Sequence, residues 1–384
     1  MEKKILGVEK NIFFMGLTSF FTDVSSEMIQ PLLPIFLASV LGVNKAFIGL
    51  IEGIAETTAS ILKIFSGYLS DKLRKRKIIV VFGYTLSNLV KPLLSFATTG
   101  WQVLLIRFSD RTGKGLRTSP RDALLADSSA PEELGRSFGF HRAMYTAVAV
   151  LGPVLAFLLL GIFKDGFRPI FLTAFIPGIL AVLGLIFFVK EKVPLRAAEW
   201  KFNLKELDAR FIIFLFIIML FTLGNSSDAF LILRAQSLAI PVFLIPLVYL
   251  MFNLIYTTCA IPGGILSDKI GRKWVIVLGF LLYSLVYFGF GFARLAYHAV
   301  ILYALYGIYY GLTDGVQRAL VADLVPSDKR GTAYGAYHAA VGITALPASL
   351  IMGILWETLG ATLAFSFGAV LALAAAVLLT FFLK

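Results

Sequence analysis

One cysteine, Cys259, is all the chain has in 384 residues, and it lies in an apolar run, so neither an intramolecular disulfide nor a cysteine metal cluster is possible. Charge is scarce as well. Asp, Glu, Lys and Arg make up 15% of the residues, against about 25% in soluble domains. Hydrophobic residues reach 58%, and mean hydropathy is +0.85. Together these exclude an ordinary water-soluble domain and indicate a polytopic helical membrane protein. A G-x-x-x-x-G-K-[ST] phosphate loop is also missing; Gly113-Lys114-Gly115 is only superficially similar and lies inside a span. No enzyme activity, cofactor or metal is expected. The formal net charge is +12, but Lys and Arg sit mostly in short connections between apolar runs. That is the positive-inside pattern, and no aromatic–basic surface accompanies it, so no nucleic-acid partner is expected.

What is present is a series of apolar runs long enough to cross a bilayer, at ~20 residues per crossing. They fall at 11–41, 46–70, 77–98, 100–127, 135–163, 168–190, 209–236, 241–266, 273–292, 297–323, 331–356 and 360–383. The N-terminus begins like a signal peptide, but its apolar segment runs to about Leu41 without a small-residue cleavage site, so it reads as a retained span. With both termini in the cytoplasm, about twenty Lys and Arg fall inside and about four (Lys45, Lys164, Arg168, Arg294) outside. The expected location is the cell's inner (cytoplasmic) membrane. Residues 191–208 form the longest polar stretch. They read either as a solvated tether or as an amphipathic helix with Trp200, Phe202 and Leu204 toward lipid and Lys201 and Lys205 toward headgroups.

Cutting at that stretch exposes a repeat. GYLSDKLRKRK at Gly67 recurs as GILSDKIGRK at Gly264, ALLAD at 123–127 as ALVAD at 319–323, and Ser25-Ser26-Glu27 as Ser226-Ser227-Asp228. All three keep their order at an offset of about 200 residues. The expected plan is therefore all-α: twelve transmembrane helices in two pseudo-symmetric six-helix halves, 1–190 and 209–384, joined by a cytoplasmic linker at 191–208.

Against this apolar background the stretch Arg107–Asp127 stands out. Arg107, Asp110, Arg111, Lys114, Arg117 and Arg121 fall within roughly 120° of a helical wheel, with Asp122 following. A charge at a bilayer centre costs about 2.5–3.5 kcal/mol on insertion scales, so this face must meet protein or water. Other spans supply polar faces: Asp23, Ser26, Glu27 and Gln30 in the first, Glu52, Glu56 and Lys63 in the second, and Lys91 in the third. Asp228, Asn253, Asp314 and Arg318 lie in the second half. The portion Arg107–Lys114 matches an uncharged, Tyr- and Gly-rich segment around Tyr303–Tyr310, so the charge there belongs to one half alone. His141 and His338 sit at corresponding inner ends, where a turn-capping or headgroup role and a proton role are both open.

At this point the chain resembles the major facilitator superfamily. Its loop signature G-x-x-x-D-[RK]-x-G-[RK]-[RK] is matched by Gly264, Asp268, Lys269, Gly271, Arg272 and Lys273. The first-half copy has Gly67, Asp71, Lys72, Lys75 and Arg76 but Arg74 where glycine is usual. Arg107 followed by Gly113 and Gly115 loosely matches a second family motif, and Gly152-Pro153 the Gly-Pro motif of antiporters. The resemblance implies that the two loops act as gates and that the halves rock in alternating access.

The expected activity is secondary active transport of a small organic solute, coupled to protons, with export preferred to import. An uncoupled facilitator, a flippase for a lipid-like substrate and a non-transporting sensor are the other readings. Candidate proton-coupling residues are Asp23, Glu27, Glu56 and Asp110; candidate substrate-binding residues are Arg107, Arg111, Lys114, Asp228, Asn253 and Asp314. In the competing reading these charges are static ion pairs pinning helix 4 to helices 1 and 2. Asp127 and Asp323 are expected to be structural partners of loop cations. Expected partners are a small-molecule substrate, a proton or other ion gradient and the bilayer, with the chain a monomer.

Overall fold

A computed structural model of the chain describes residues 4–130, 133–164, 166–192, 208–326 and 329–383. The amphipathic reading of 191–208, with Trp200, Lys201, Phe202, Leu204 and Lys205, lies outside the described residues. Twelve long helical segments occur: α1 (Lys10–Ile29), α2 (Lys45–Leu73), α3 (Arg76–Phe96), α4 (Gly100–Asp127), α5 (Leu134–Ile162), α6 (Phe167–Phe188), α7 (Ala209–Ser237), α8 (Val242–Ile270), α9 (Arg272–Phe292), α10 (Ala296–Asp323), α11 (Arg330–Leu359) and α12 (Ala361–Phe382). The only strands among the described residues are Lys4–Ile5 and Val8–Glu9, a two-stranded antiparallel pair before α1.

Nine of these helices are long and apolar enough to cross a membrane. The three that fall short are α1, α2 and α4, which carry Asp23 and Glu27, Glu52 and Glu56, and the charged face of α4. The polarity that removes them from the apolar set is the polarity of the candidate site.

Several helices are interrupted where the apolar pattern alone shows no break. After α1 the chain turns at Gln30–Leu32 around Pro31 and resumes as a wide helical turn over Phe36–Val40. Pro92 tightens the end of α3 into a 3-10 turn over Lys91–Phe96. Helix α7 opens between Gly224 and Ala229, where Asn225–Asp228 leave the helix and Ser227 N donates to Ser349 Oγ (3.2 Å).

By packing, the chain forms two compact units, Met1–Leu33 with Thr58–Trp200 and Pro34–Thr57 with Lys201–Lys384. The linear division at 191–208 remains the proposed domain plan, but residues 34–57 pack with the later part of the chain. The start of α2 lies directly on α11: a Cβ at Gly49 would fall 2.2 Å from the Ser349 carbonyl oxygen, and Thr57 Oγ1 donates to the Gly342 carbonyl (2.6 Å). Within the first unit α1 packs on α5 and α6, and α3 on α4; within the second α7 packs on α11 and α12, and α9 on α10. The pairings repeat as the sequence motifs do. Met15, Val80, Tyr84, Leu124 and Leu185 form a buried core in the first unit. In the second, Phe221 stacks on Phe280 with ring centroids 3.8 Å apart, and Tyr283 on Tyr287 at 4.2 Å.

Candidate functional site

Helix α4 begins with a capping box: Thr99 Oγ1 accepts from Gln102 N, and Gln102 Oε1 accepts from Thr99 N (3.2 Å). Fourteen residues on from Thr99, it crosses α3 at a pair of glycines. A Cβ at Gly113 would lie 2.5 Å from the Gly83 carbonyl oxygen, and one at Gly83 would lie 2.7 Å from that of Gly113. Only glycine permits so close a crossing. It brings the charged face of α4 against Ser87, Asn88 and Lys91 of α3 and the polar face of α1.

The resulting cavity, about 50 Å³ in volume, is lined by Asp23, Glu27, Lys91, Arg107, Asp110, Arg111, Lys114 and Arg117, with Ser26, Gln30 and Tyr145. A water needs roughly 10–15 Å³ by this measure, so there is room for a few waters or one small polar group. Ser87 Oγ donates a short hydrogen bond to Asp110 Oδ1. On its other side Asp110 meets Arg107 Nη1 at 3.8 Å and Arg111 Nε at 4.0 Å. Asp23 meets Arg117 Nη2 at 3.7 Å. These are charge contacts longer than hydrogen bonds, which fall near 2.7–2.9 Å for such pairs. The Arg117 guanidinium lies 4.3 Å from the centroid of the Tyr84 ring, a cation–π contact that fixes it from below. Lys91 Nζ donates to Ser26 Oγ (2.8 Å), the Thr22 carbonyl (3.2 Å) and Asn88 Oδ1 (3.2 Å), which ties α3 to α1 through neutral oxygens.

Behind this cavity runs a polar ladder. Tyr84 OH and Ser19 Oγ share a hydrogen bond (2.7 Å), and Ser19 Oγ another with His141 Nε2 (2.9 Å). His141 therefore joins α5 to α1. On α5, Gly152 backs directly onto α1, since a Cβ there would lie 2.3 Å from Glu27 Cβ.

Of the candidate residues, Asp23, Glu27, Arg107, Asp110, Arg111 and Lys114 come together here. Glu56, Asp228, Asn253 and Asp314 do not line this cavity; they belong to the second unit. There Tyr306 OH donates to Asp228 Oδ1 (2.7 Å), at the break in α7, and Tyr256 OH donates to Asp314 Oδ2 (2.9 Å). Arg318 also pairs with Asp314, and Asn253 is buried on α8. Tyr306 and Tyr309 of α10 are buried in an aromatic cluster with Tyr283 and Tyr287, and the buried Tyr303 packs edge-on against Phe290. Sequence reasoning did not find Tyr84, Ser87 or Asn88. Arg117 was visible on the charged arc but was not singled out from it.

At the first motif loop, Arg76 pairs with Asp71 (2.9 Å) and closely with Asp127, while the Glu191 carboxylate accepts from the backbone N–H groups of Arg76 (3.0 Å) and Lys77 (2.9 Å). The second copy is simpler: Arg272 Nε pairs with Asp323 (2.8 Å), and Lys273 Nζ donates to the Thr380 carbonyl (2.8 Å). Gly271 turns with φ +92°, and Arg74, at the matching place, with φ +52°. Gly67 approaches Ser119 with a Cβ distance of 3.3 Å, but Gly264 faces open space among the described residues, so close helix approach does not account for it. Asp268 and Lys269 lie on the last turns of α8, Lys72 at the end of α2.

Comparison with known proteins places this geometry. An uncharacterized MFS-type transporter of Methanocaldococcus jannaschii, MJ1317, is 42% identical over 382 residues, covering 97% of this chain and 95% of that protein. The multidrug resistance protein MdtG of Salmonella schwarzengrund is 26% identical over 164 residues, 42% of this chain and 40% of that one. Among solved structures, the nucleoside transporter NupG superposes with a TM-score of 0.82 at 13% identity, over 97% of this chain and 100% of that chain, a likeness of fold. The signature of the Major Facilitator Superfamily matches residues 15–233 and 211–384, and the chain belongs to that superfamily of membrane transporters.

Proposed function

We propose that the chain is a secondary active transporter that moves a small organic solute by alternating access, driven by protons, and exports in preference to importing. The observation that carries this reading is the first-unit cavity: carboxylates and cations share one buried, water-sized space on helices that are otherwise apolar. Ionisable groups inside a membrane bundle mark substrate and proton pathways. Asp23, Glu27 and Asp110 in the cavity and Glu56 in the second unit are the proposed coupling acids. Arg107, Arg111 and Lys114 are the proposed solute ligands of the first unit, and Asp228, Asn253 and Asp314 those of the second. The loops at Gly67–Arg76 and Gly264–Lys273 are the proposed gates. Exchange of solute for protons is supported by Gly152-Pro153, whose glycine seats α5 against Glu27. Export is supported by the relative named as a multidrug resistance protein. The proposed setting is the inner membrane, with both termini in the cytoplasm.

In proteoliposomes loaded with a pH dye, a solute found by thermal-shift screening is expected to move protons as it crosses and to accumulate along an imposed pH gradient. Asp23→Asn and Glu56→Gln are expected to abolish gradient-driven transport while sparing solute exchange. Transport that neither moves protons nor responds to the gradient refutes the coupling.

A further inference from the structure

Asp228 stands at the start of the helical stretch Ala229–Ser237 that resumes α7, the place where an aspartate commonly caps the helix. It does not cap it. Ser227 Oγ accepts from the Ala229 N–H instead (3.3 Å), and the Asp228 carboxylate turns to α10, where Tyr306 OH donates to Oδ1 (2.7 Å). Oδ2 has no hydrogen-bond partner, and the half-buried carboxylate no ion pair, among the described residues. The charged groups that act on it are Glu52 and Glu56 of the same unit, which have interactions of their own and bring no positive charge. One turn before Tyr306 on the same face of α10, Tyr303 is 3% exposed, and its hydroxyl has no partner among the described residues. That hydroxyl lies within electrostatic reach of Asp228. Tyr310, on the following turn, stands edge-on to Tyr306 with ring centroids 5.2 Å apart. A carboxylate oxygen without a partner, a buried hydroxyl without a partner and aromatic rings thus share one face, and each attracts a cation that carries N–H groups.

We propose that this face of α10 binds the ammonium group of a protonated organic amine. The ammonium donates to Asp228 Oδ2 and to the Tyr303 hydroxyl oxygen, with the rings of Tyr306 and Tyr310 alongside. It supplies the counter-charge that Asp228 lacks and the bond that Tyr303 lacks. An anion meets repulsion from the carboxylate, and a hard metal ion, which takes about six or more oxygens, finds too few. The proposal rests on the reading of Asp228 as a solute ligand and names the solute's class, but its test is binding and does not need transport.

Full-length protein in nanodiscs is titrated with butylammonium and benzylammonium, with butyramide and benzamide as uncharged matches, and with sodium. Potassium chloride holds the ionic strength constant at neutral pH, where an alkylamine is protonated as lysine is. The amines are expected to raise the melting temperature, and the amides and sodium are not. Asp228→Asn is expected to weaken amine binding about thirtyfold or more, and Tyr303→Phe about tenfold, as for the loss of a hydrogen bond to a charged group. Tyr303→Phe keeps the ring and removes a hydroxyl that bonds to nothing, so without amine its melting temperature is expected to equal or exceed that of the wild type. Should Asp228→Asn not fold, Tyr303→Phe carries the test alone. A folded wild-type protein that responds to neither amine overturns the proposal. So do equal responses to the amides or to sodium, and a Tyr303→Phe protein with unchanged amine affinity. Amine binding without amine counterflow in liposomes sinks the transport reading alone; counterflow of an uncharged or anionic solute with no amine binding sinks this proposal alone.

Discussion

Arg74 holds the backbone conformation that its repeat partner Gly271 adopts freely, with φ +52° against +92°. A side chain in the left-handed region costs about 1–2 kcal/mol, and glycine removes the clash. Arg74→Gly is therefore expected to stabilise the protein by about 1 kcal/mol, seen as a higher midpoint of thermal unfolding in detergent. Gly271→Ala is expected to lower it by a similar amount. An Arg74→Gly protein that melts at or below the wild-type temperature contradicts the strain. The motif made this position legible from sequence, because the turn is dictated by the loop and not by the residue that fills it. Tyr84, Ser87 and Asn88 were not legible. Neutral polar residues are common in spans, and only the crossing of α3 and α4 decides which of them meet a charge.

At the scale of elements, that crossing sets the cavity. Gly113→Ala places a methyl 2.5 Å from the Gly83 carbonyl and forces α3 from α4. Such overpacking costs about 1–3 kcal/mol, and it draws Ser87 away from Asp110, so weaker solute binding is expected along with the lower melting temperature. Gly264→Ala is the contrast. It faces open space within α8, and the gain in helix propensity is up to about 1 kcal/mol, so its melting temperature is expected to hold or rise. Matching losses in both variants would show that the crossing has no special demand. Helix positions were largely legible, since α4 spans Gly100–Asp127 as the apolar run and its flanks indicated. The break in α7 was not, because the Asn225–Asp228 segment is held by a contact with Ser349, more than a hundred residues away.

For the molecule as a whole, the basic loops predict cytoplasmic termini, and the single cysteine makes that orientation easy to check. In a Cys259→Ser background, Asn44→Cys is expected to react with a membrane-impermeant maleimide applied outside intact cells, and Lys72→Cys only after the membrane is opened. The opposite labelling reverses the assignment of the termini. Both six-helix halves were legible from three short motifs in register, and the same helix pairings recur inside each packed unit. What the linear repeat does not convey is that residues 34–57 pack with the later part of the chain, since backbone contact through Gly49 leaves no hydropathy signal.

The three helices too polar to pass as membrane spans also bear on how the protein is made. Each central charge on α4 adds about 2.5–3.5 kcal/mol to its entry into lipid, and Asp110, Arg111 and Arg117 are all buried against protein in the finished fold. Such a helix does not partition alone. It is expected to enter the bilayer together with α1 and α3, which hold the partners of its charged face. The charged face that lines the cavity thus also bears on how α4 is inserted, and removing its charges is expected to make its insertion independent of α1.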